Sequence, residues 1–251
     1  MTSSYFSDYN VAPQILSPPS RALIVGAHPD DIEFGSGGTL AKWADAGTSL
    51  IFVILTDGSK GSWDPSVSPK DLAILRESEQ IQAAKVLSQT AEVEFMRCVD
   101  GELKHESTQV SRVCELIRKH RPGILIGHDP WKRYRLHPDH RNAGFIVTDA
   151  LVAARDPLYL PDLGRSHRPE TLLLFEADEP NYVEELSPRN LAVKANALLQ
   201  HASQHKSSME IDQESNDGVA NFISATLEHA KRVGETAGYQ YGENFRLISD
   251  T

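Results

Sequence analysis

The chain has 251 residues, 40% of them hydrophobic and 24% charged, an ordinary globular composition with material for one sizeable core. A formal net charge of -10 argues against a nucleic-acid binder or an anionic-membrane binder, since both need clustered positive charge, and leaves a small, neutral or weakly charged molecule as the expected partner. Only Cys98 and Cys114 occur, so no disulfide framework is implied and a cytoplasmic setting is expected, while the longest apolar run, Leu50 to Leu55, is too short to span a bilayer.

In chain order, residues 1–20 are rich in Ser, Pro and Tyr without a period and read as an irregular arm. Short apolar runs suited to buried strands follow at Ala22 to Gly26, Leu50 to Thr56, Val93 to Met96, Ile124 to Gly127 and Thr171 to Phe175. Helical patterns lie between them, at Gly37 to Ala46, Leu72 to Leu87, Val110 to His120 and Arg141 to Ala154, with two more at Pro188 to His201 and Gly218 to Val233. This alternation predicts an α/β fold: a doubly wound, Rossmann-like, mainly parallel sheet flanked by helices. The connection Asp156 to Pro169 has the length and composition of a segment that lines a binding site, and Ser203 to Asp217 reads as an exposed loop.

Two segments at strand ends carry chemistry. After the first strand the chain reads AHPDDIEFGSGGTL, Ala27 to Leu40, and after the fourth it reads LHPDHRNAG, Leu136 to Gly144. Ligands of doubly wound sheets bind outside the carboxyl ends of the strands, so neighbouring parallel strands can bring these His and Asp residues together. Imidazole and carboxylate are donors that zinc accepts, and a catalytic zinc keeps three protein ligands and an open position. Pro138 suits the first turn of a helix and would place Asp139 and His140 at its start. Each segment alone also admits a plainer reading, with the Asp residues as helix caps and Gly35, Gly37 and Gly38 as turn formers. A phosphate-binding loop fits poorly, because two adjacent carboxylates repel phosphate and the glycines do not form GxGxxG.

The paired motifs AHPDD (Ala27 to Asp31) and HPDH (His137 to His140) resemble the PIG-L or LmbE-like family of zinc-dependent N-acetylglucosaminyl deacetylases. Arg76 and Glu79, the HASQ at His201 to Gln204 and the GENFR at Gly242 to Arg246 extend the resemblance from about Arg21 to Leu247, and a single deacetylase domain over residues 21–251 is expected. The resemblance implies that His28, Asp31 and His140 hold one zinc ion, which other divalent transition metals can replace. It further implies that Asp30 is the general base, that His137 faces the developing oxyanion and that Asp139 orients His137. Arg76 is a candidate contact for substrate hydroxyls, with a surface ion pair as its alternative. Trp131 is a candidate for stacking on a sugar face and Tyr134 for the oxyanion, while the basic Lys132, Arg133 and Arg135 suit either an anionic substrate or a solvated loop. His128 and Asp129 are read as supports of the site or as structural residues, and His201 as closing over the site or facing solvent. The implied reaction removes an N-acyl group from an amino sugar or glycoconjugate, a thiol-glycoside included. The alternative is a metal or sugar binder without turnover. Family members also assemble as homo-oligomers, and the N-terminal arm could serve such contacts.

Overall fold

The computed structural model describes residues 16–211, 217–249 and 251. The five apolar runs form strands β1 (Arg21–Gly26), β2 (Ser49–Thr56), β3 (Glu92–Cys98), β4 (Ile124–His128) and β5 (Thr171–Phe175). Two further strands, β6 (Tyr182–Glu185) and β7 (Gly242–Ser249), complete a seven-stranded sheet of order β3-β2-β1-β4-β5-β7-β6. The first five are parallel, whereas β7 runs antiparallel to both β5 and β6. Helices α1 (Asp31–Asp45), α2 (Pro69–Leu87), α3 (Ser107–His120), α4 (Pro138–Arg155), α5 (Pro188–Leu198) and α6 (Gly218–Glu235) supply the covering layers.

Successive residues of a strand point to opposite faces, and here both faces are buried. Leu23 and Val25 of β1 join a cluster with Val113 and Ile117 of α3 and Ile146 of α4. Ala22 and Ile24 join another with Trp43 of α1, Ala83 of α2 and Ala197 of α5. Burial on both sides is the reason that β1, β2 and β4 read as unbroken apolar runs rather than alternating ones.

The structure departs from the sequence expectations where polar residues are buried. β6 and β7 carry no apolar run because Glu184 and Glu243 point inward; Glu243 accepts from the backbone N–H groups of Gly38 (2.9 Å) and Thr39 (2.7 Å) and from the Lys194 ammonium (2.6 Å). α1 begins at Asp31, six residues before the expected Gly37, because its glycines serve packing rather than a turn. A Cβ at Gly35 would lie 2.5 Å from the Phe175 ring, and one at Gly38 would lie 2.5 Å from Leu186. The 156–169 connection does not line the main cleft. Its Asp156, Tyr159, Leu160 and Gly164 carbonyls gather instead, with those of Ala153 and Ala154 at the end of α4, on the buried guanidinium of Arg118. In the stretch expected to be an exposed loop, Gln204, Met209 and Ile211 are buried, and residues 212–216 lie outside the described residues. Of the N-terminal arm, residues 1–15 also lie outside them.

β1 and β4 are neighbours whose following helices lie on opposite faces of the sheet, so the chain reverses its winding between them. A crevice forms at such a point beyond the strand ends, and the segments after β1 and β4 are the two His and Asp motifs. Close approach of α4 to the end of β4 depends on Gly144, since a Cβ there would come within 2.7 Å of the His128 carbonyl oxygen and of the Pro130 nitrogen. Backbone cannot rotate out of the way as a side chain can, so Gly144→Ala is expected to destabilise the fold by about 1–3 kcal/mol. A thermal melt would show this as a lowered Tm, and an unchanged Tm would mean that α4 shifts freely against the sheet.

Candidate active site

The chain leaves β1 through His28 and turns sharply at Asp30, whose φ of 103° is left-handed. A non-glycine residue held there costs about 1–3 kcal/mol, so the surrounding contacts must impose it. Asp30 stands at the N-terminus of α1 without using its side chain as a cap, which leaves its carboxylate available. Asp31 opens the helix, and its Oδ2 accepts from the His28 backbone N–H at 2.7 Å. At the other motif Pro138 starts α4 as expected, and His137 is the N-cap, its Nδ1 accepting from the Asp139 N–H at 3.3 Å. That bond puts the neutral ring's proton on Nε2. Burial and the neighbouring His28 lower the His137 pKa below 6.5, so near neutral pH it is a neutral imidazole with one N–H to donate.

His28 and His140 meet with Nδ1 and Nε2 3.1 Å apart, and Asp31 stands 3.4 Å from the first and 3.2 Å from the second. Three donors on bonds of 2.0–2.1 Å around a tetrahedral cation lie about 3.3 Å from one another. The three side chains converge at about this spacing, with Asp31 facing His28 through Oδ2 and His140 through Oδ1. The other face of His28 supports the same reading: its Nε2 lies 3.1 Å from Asp139 and 3.2 Å from Asp100. The Asp139 carboxylate is fixed in turn by the N–H groups of Gly101 (2.7 Å) and Leu103 (3.2 Å). A carboxylate on the far nitrogen orients a metal-binding imidazole and raises its basicity. Asp139 thus supports His28 through its side chain, and meets His137 only through its backbone N–H.

Electrostatics point the same way. Burial lowers the His28 pKa, yet bonds to Asp100, Asp139 and Asp31 outweigh it and hold the pKa well above 6.5. Burial likewise raises the Asp100 carboxyl, but His28 prevails and brings it down to about 2. A site that grips a proton so firmly among carboxylates is one of negative potential that a divalent cation can neutralise. Asp30 behaves in the opposite way. Burial, partly countered by Arg76, raises its pKa to about 6, the range suited to a base working near neutrality.

Residues outside the two motifs complete the arrangement. His128, at the end of β4, accepts from Arg135 Nη1 at Nδ1 (3.2 Å), while its Nε2 lies 3.1 Å from Asp31 Oδ2 and 3.3 Å from the Ala27 backbone nitrogen. Arg135 is itself paired with Glu176. His128 takes the supporting place that the sequence allowed it, whereas Asp100 carries no local signal, because Asp-Gly after a strand reads as a turn, and neither reading of the basic loop placed Arg135 on His128. Arg76 is buried at the cleft and donates to the carbonyls of Pro29 (2.6 Å) and Gly58 (3.0 Å), with its Nη2 3.5 Å from Asp30. It is therefore no surface ion pair. His201, read as closing over the site or facing solvent, is completely buried and lies 3.5 Å from Glu33.

The cleft has a volume of about 990 Å³; His28, Asp30, Asp31, Arg76, His137 and His140 line its polar end, while Phe34, Leu191, Leu198 and Phe222 are among its apolar walls. Trp131 and Tyr134 do not line it. Trp131 is 60% exposed with its edge towards Phe145, and beside a second cavity of about 500 Å³, while Tyr134 is 88% exposed in a left-handed turn. Lys132 of the same loop does reach the cleft.

Comparison with known proteins agrees with this geometry. Residues 23–151 match the model of the PIG-L family, GlcNAc-PI de-N-acetylase. The chain is 31% identical over 237 residues to a diacetylchitobiose deacetylase of Thermococcus kodakarensis, covering 91% of this chain and 83% of that protein. It is 30% identical over 169 residues to a 1D-myo-inositol 2-acetamido-2-deoxy-alpha-D-glucopyranoside deacetylase of Saccharopolyspora erythraea, covering 57% and 60% of the two chains. Among solved structures, N,N'-diacetylchitobiose deacetylase from Pyrococcus horikoshii superposes with a TM-score of 0.81 at 27% identity, covering 92% of this chain and 84% of that one. With both motifs inside the matched region and the sheet shared along its length, the chain belongs to the PIG-L family.

Proposed function

We propose that this protein is a zinc-dependent hydrolase that removes an N-acetyl group from an N-acetylglucosamine-type sugar or glycoconjugate, residues 21–251 acting as one catalytic unit. The observation that carries the proposal is the convergence of His28, Asp31 and His140 within 3.1–3.4 Å of one another, with another carboxylate, Asp30, lining the same cleft. Zinc is preferred on the donor set, and other divalent transition metals are expected to support turnover. Named deacetylases among the relatives support the reaction class. The two cysteines are free thiols, which suits the proposed cytoplasmic setting.

Bound in this triad, a divalent cation would acidify water and polarise an amide carbonyl. The chain's own groups do the rest. Ionised Asp30 takes the proton of the attacking water and returns it to the departing amine, while Arg76 holds the Pro29 carbonyl and lends positive charge to keep Asp30 ionised. His137 donates from Nε2 towards the carbonyl oxygen as charge builds on it. The cleft is large enough for a sugar with a further group attached. A pure binding protein would have no use for Asp30 in its strained position.

The direct test is acetate release from a panel of N-acetylated amino sugars and conjugates with zinc-loaded protein. No release from any member would contradict the proposal. Metal analysis is expected to show about one ion per chain, with sharp loss in His28→Ala and His140→Ala. Asp31→Asn is expected to lose metal first and to regain activity partly on adding zinc. Asp30→Asn is expected to keep its metal and lose about 10²- to 10⁴-fold in kcat. Full activity in Asp30→Asn would leave the mechanism without its base.

Because Asp30 works as the anion and its pKa is pushed up to about 6, kcat should fall as pH drops through that region, with a bound cation moving the limb lower. Arg76 lowers that pKa by its charge, so Arg76→Gln is expected to move the acid limb to higher pH. A profile that stays in place would show that Arg76 has no electrostatic role towards Asp30.

A further inference from the structure

The mechanism leaves unused a buried polar chain that begins at the Asp30 backbone. The Asp30 N–H donates to Gln80 Oε1 (3.0 Å), Gln80 Nε2 donates to Glu33 Oε1 (2.7 Å), and Glu33 Oε2 faces His201 Nε2 at 3.5 Å. Glu33, Gln80 and His201 are each 0% exposed. Burial of a glutamate and a histidine is costly and persists where something depends on the geometry. The chain joins three separate elements: the start of α1, the middle of α2, and the corner after α5. That corner is pinned a second time, because Glu79 of α2 accepts from both the N–H (2.8 Å) and the hydroxyl (2.6 Å) of Ser203. Glu79 and two residues of the HASQ segment, His201 and Ser203, meet at this one junction.

Asp30 is where the chain ends. Its left-handed φ is not one that an aspartate adopts freely, and among the described residues Gln80 Oε1 is the acceptor of its N–H. Gln80 can present that oxygen only while its amide is kept from rotating, and Glu33 does this by accepting from its nitrogen. Glu33 is in turn faced by His201. We infer that Gln80, Glu33 and His201 are positioning residues that clamp the Asp30 peptide in its left-handed conformation and so aim the Asp30 carboxylate into the cleft. None of the three touches the triad of His28, Asp31 and His140. The inference rests on the proposed role of Asp30, and its test separates the two.

The test uses zinc-loaded full-length protein. Gln80→Met keeps the volume but removes both hydrogen bonds, and is expected to lower kcat about 10- to 100-fold with KM nearly unchanged, the signature of a displaced reacting group. Its metal content should equal that of the wild type. Glu33→Met should share the loss, Glu33→Gln should recover most of it because its carbonyl still accepts from Gln80, and the double variant with Met at both positions should be no worse than either single one. A kcat unchanged in Gln80→Met, a loss that merely follows metal content, or strictly additive effects would overturn the inference. Crystal structures of the wild type and of whichever Met variant folds provide a readout independent of turnover. The Asp30 peptide is expected to leave its left-handed conformation in the variant. An Asp30 that keeps its φ and carboxylate position would overturn the inference, whereas a wild type that releases no acetate while the variant shows the shift would contradict only the proposed function.

Discussion

The site is organised by an excess of buried negative charge around one imidazole. Asp31, Asp100 and Asp139 come within 3.4 Å, 3.2 Å and 3.1 Å of His28, each from a different part of the chain. Carboxylates so placed repel one another strongly away from water, and a fold that gathers them needs a positive counterpart. A protonated His28 meets that need in part. In the proposed mechanism a divalent cation held by His28 Nδ1, Asp31 and His140 would meet it more fully and would leave the other nitrogen of His28 to Asp139 and Asp100. Much around the site serves this arrangement. Backbone N–H groups of Gly101 and Leu103 hold Asp139, His128 and Arg135 steer Asp31, and the neighbouring β1 and β4 bring both motifs to one crevice.

The contrast between Asp30 and Asp31 follows from position alone. Asp30 is buried and Asp31 largely so, which by itself would raise both pKa values. Asp31 faces His140 and His128, which outweigh burial and hold its carboxyl well below the usual range. Asp30 has Arg76 for company but also the negative charge of Asp31, and burial prevails. In the proposed mechanism this difference would suit Asp31 to stay ionised as a ligand and Asp30 to gain and lose a proton near neutrality. The left-handed turn between His28 and α1 separates them, sending adjacent side chains to different tasks.

The parallel part of the sheet was legible in sequence because both of its faces are apolar, and both motifs were legible because each packs several metal-suited donors into a short segment, AHPDD and HPDH. Pro138 marked the start of α4 for a simple reason: its missing N–H and fixed φ suit a first turn. The antiparallel edge was hidden, since Glu184 and Glu243 occupy inward positions of β6 and β7 that a pattern of hydrophobicity assigns to solvent. Glycine-rich α1 was shortened by propensity reasoning, which cannot register that Phe175 and Leu186 require the absence of a Cβ. Long-range partners were beyond local reading as well. His201 meets Glu33 across 168 positions of sequence, and Asp100 reaches His28 from the far side of β3. Aromatic residues near a motif proved a poor guide to the cleft, because the loop after β4 turns Trp131 and Tyr134 outward while Lys132 turns in.

Three sets of donors in the structure are close enough to hold an ion: His28 with His137 and His140, Asp31 with His128 and His140, and His28 with Asp100 and Asp139. The account combines His28, Asp31 and His140 across the first two and leaves His137, His128, Asp100 and Asp139 to other work. Anomalous scattering at the zinc edge from crystals of the zinc-loaded protein separates these choices in one map. The account predicts a single peak about 2.0–2.2 Å from His28 Nδ1, His140 Nε2 and an Asp31 oxygen, with Asp30 outside bonding distance. A peak centred instead on His28 Nε2, Asp100 and Asp139, or one bonded to Asp30, would contradict it.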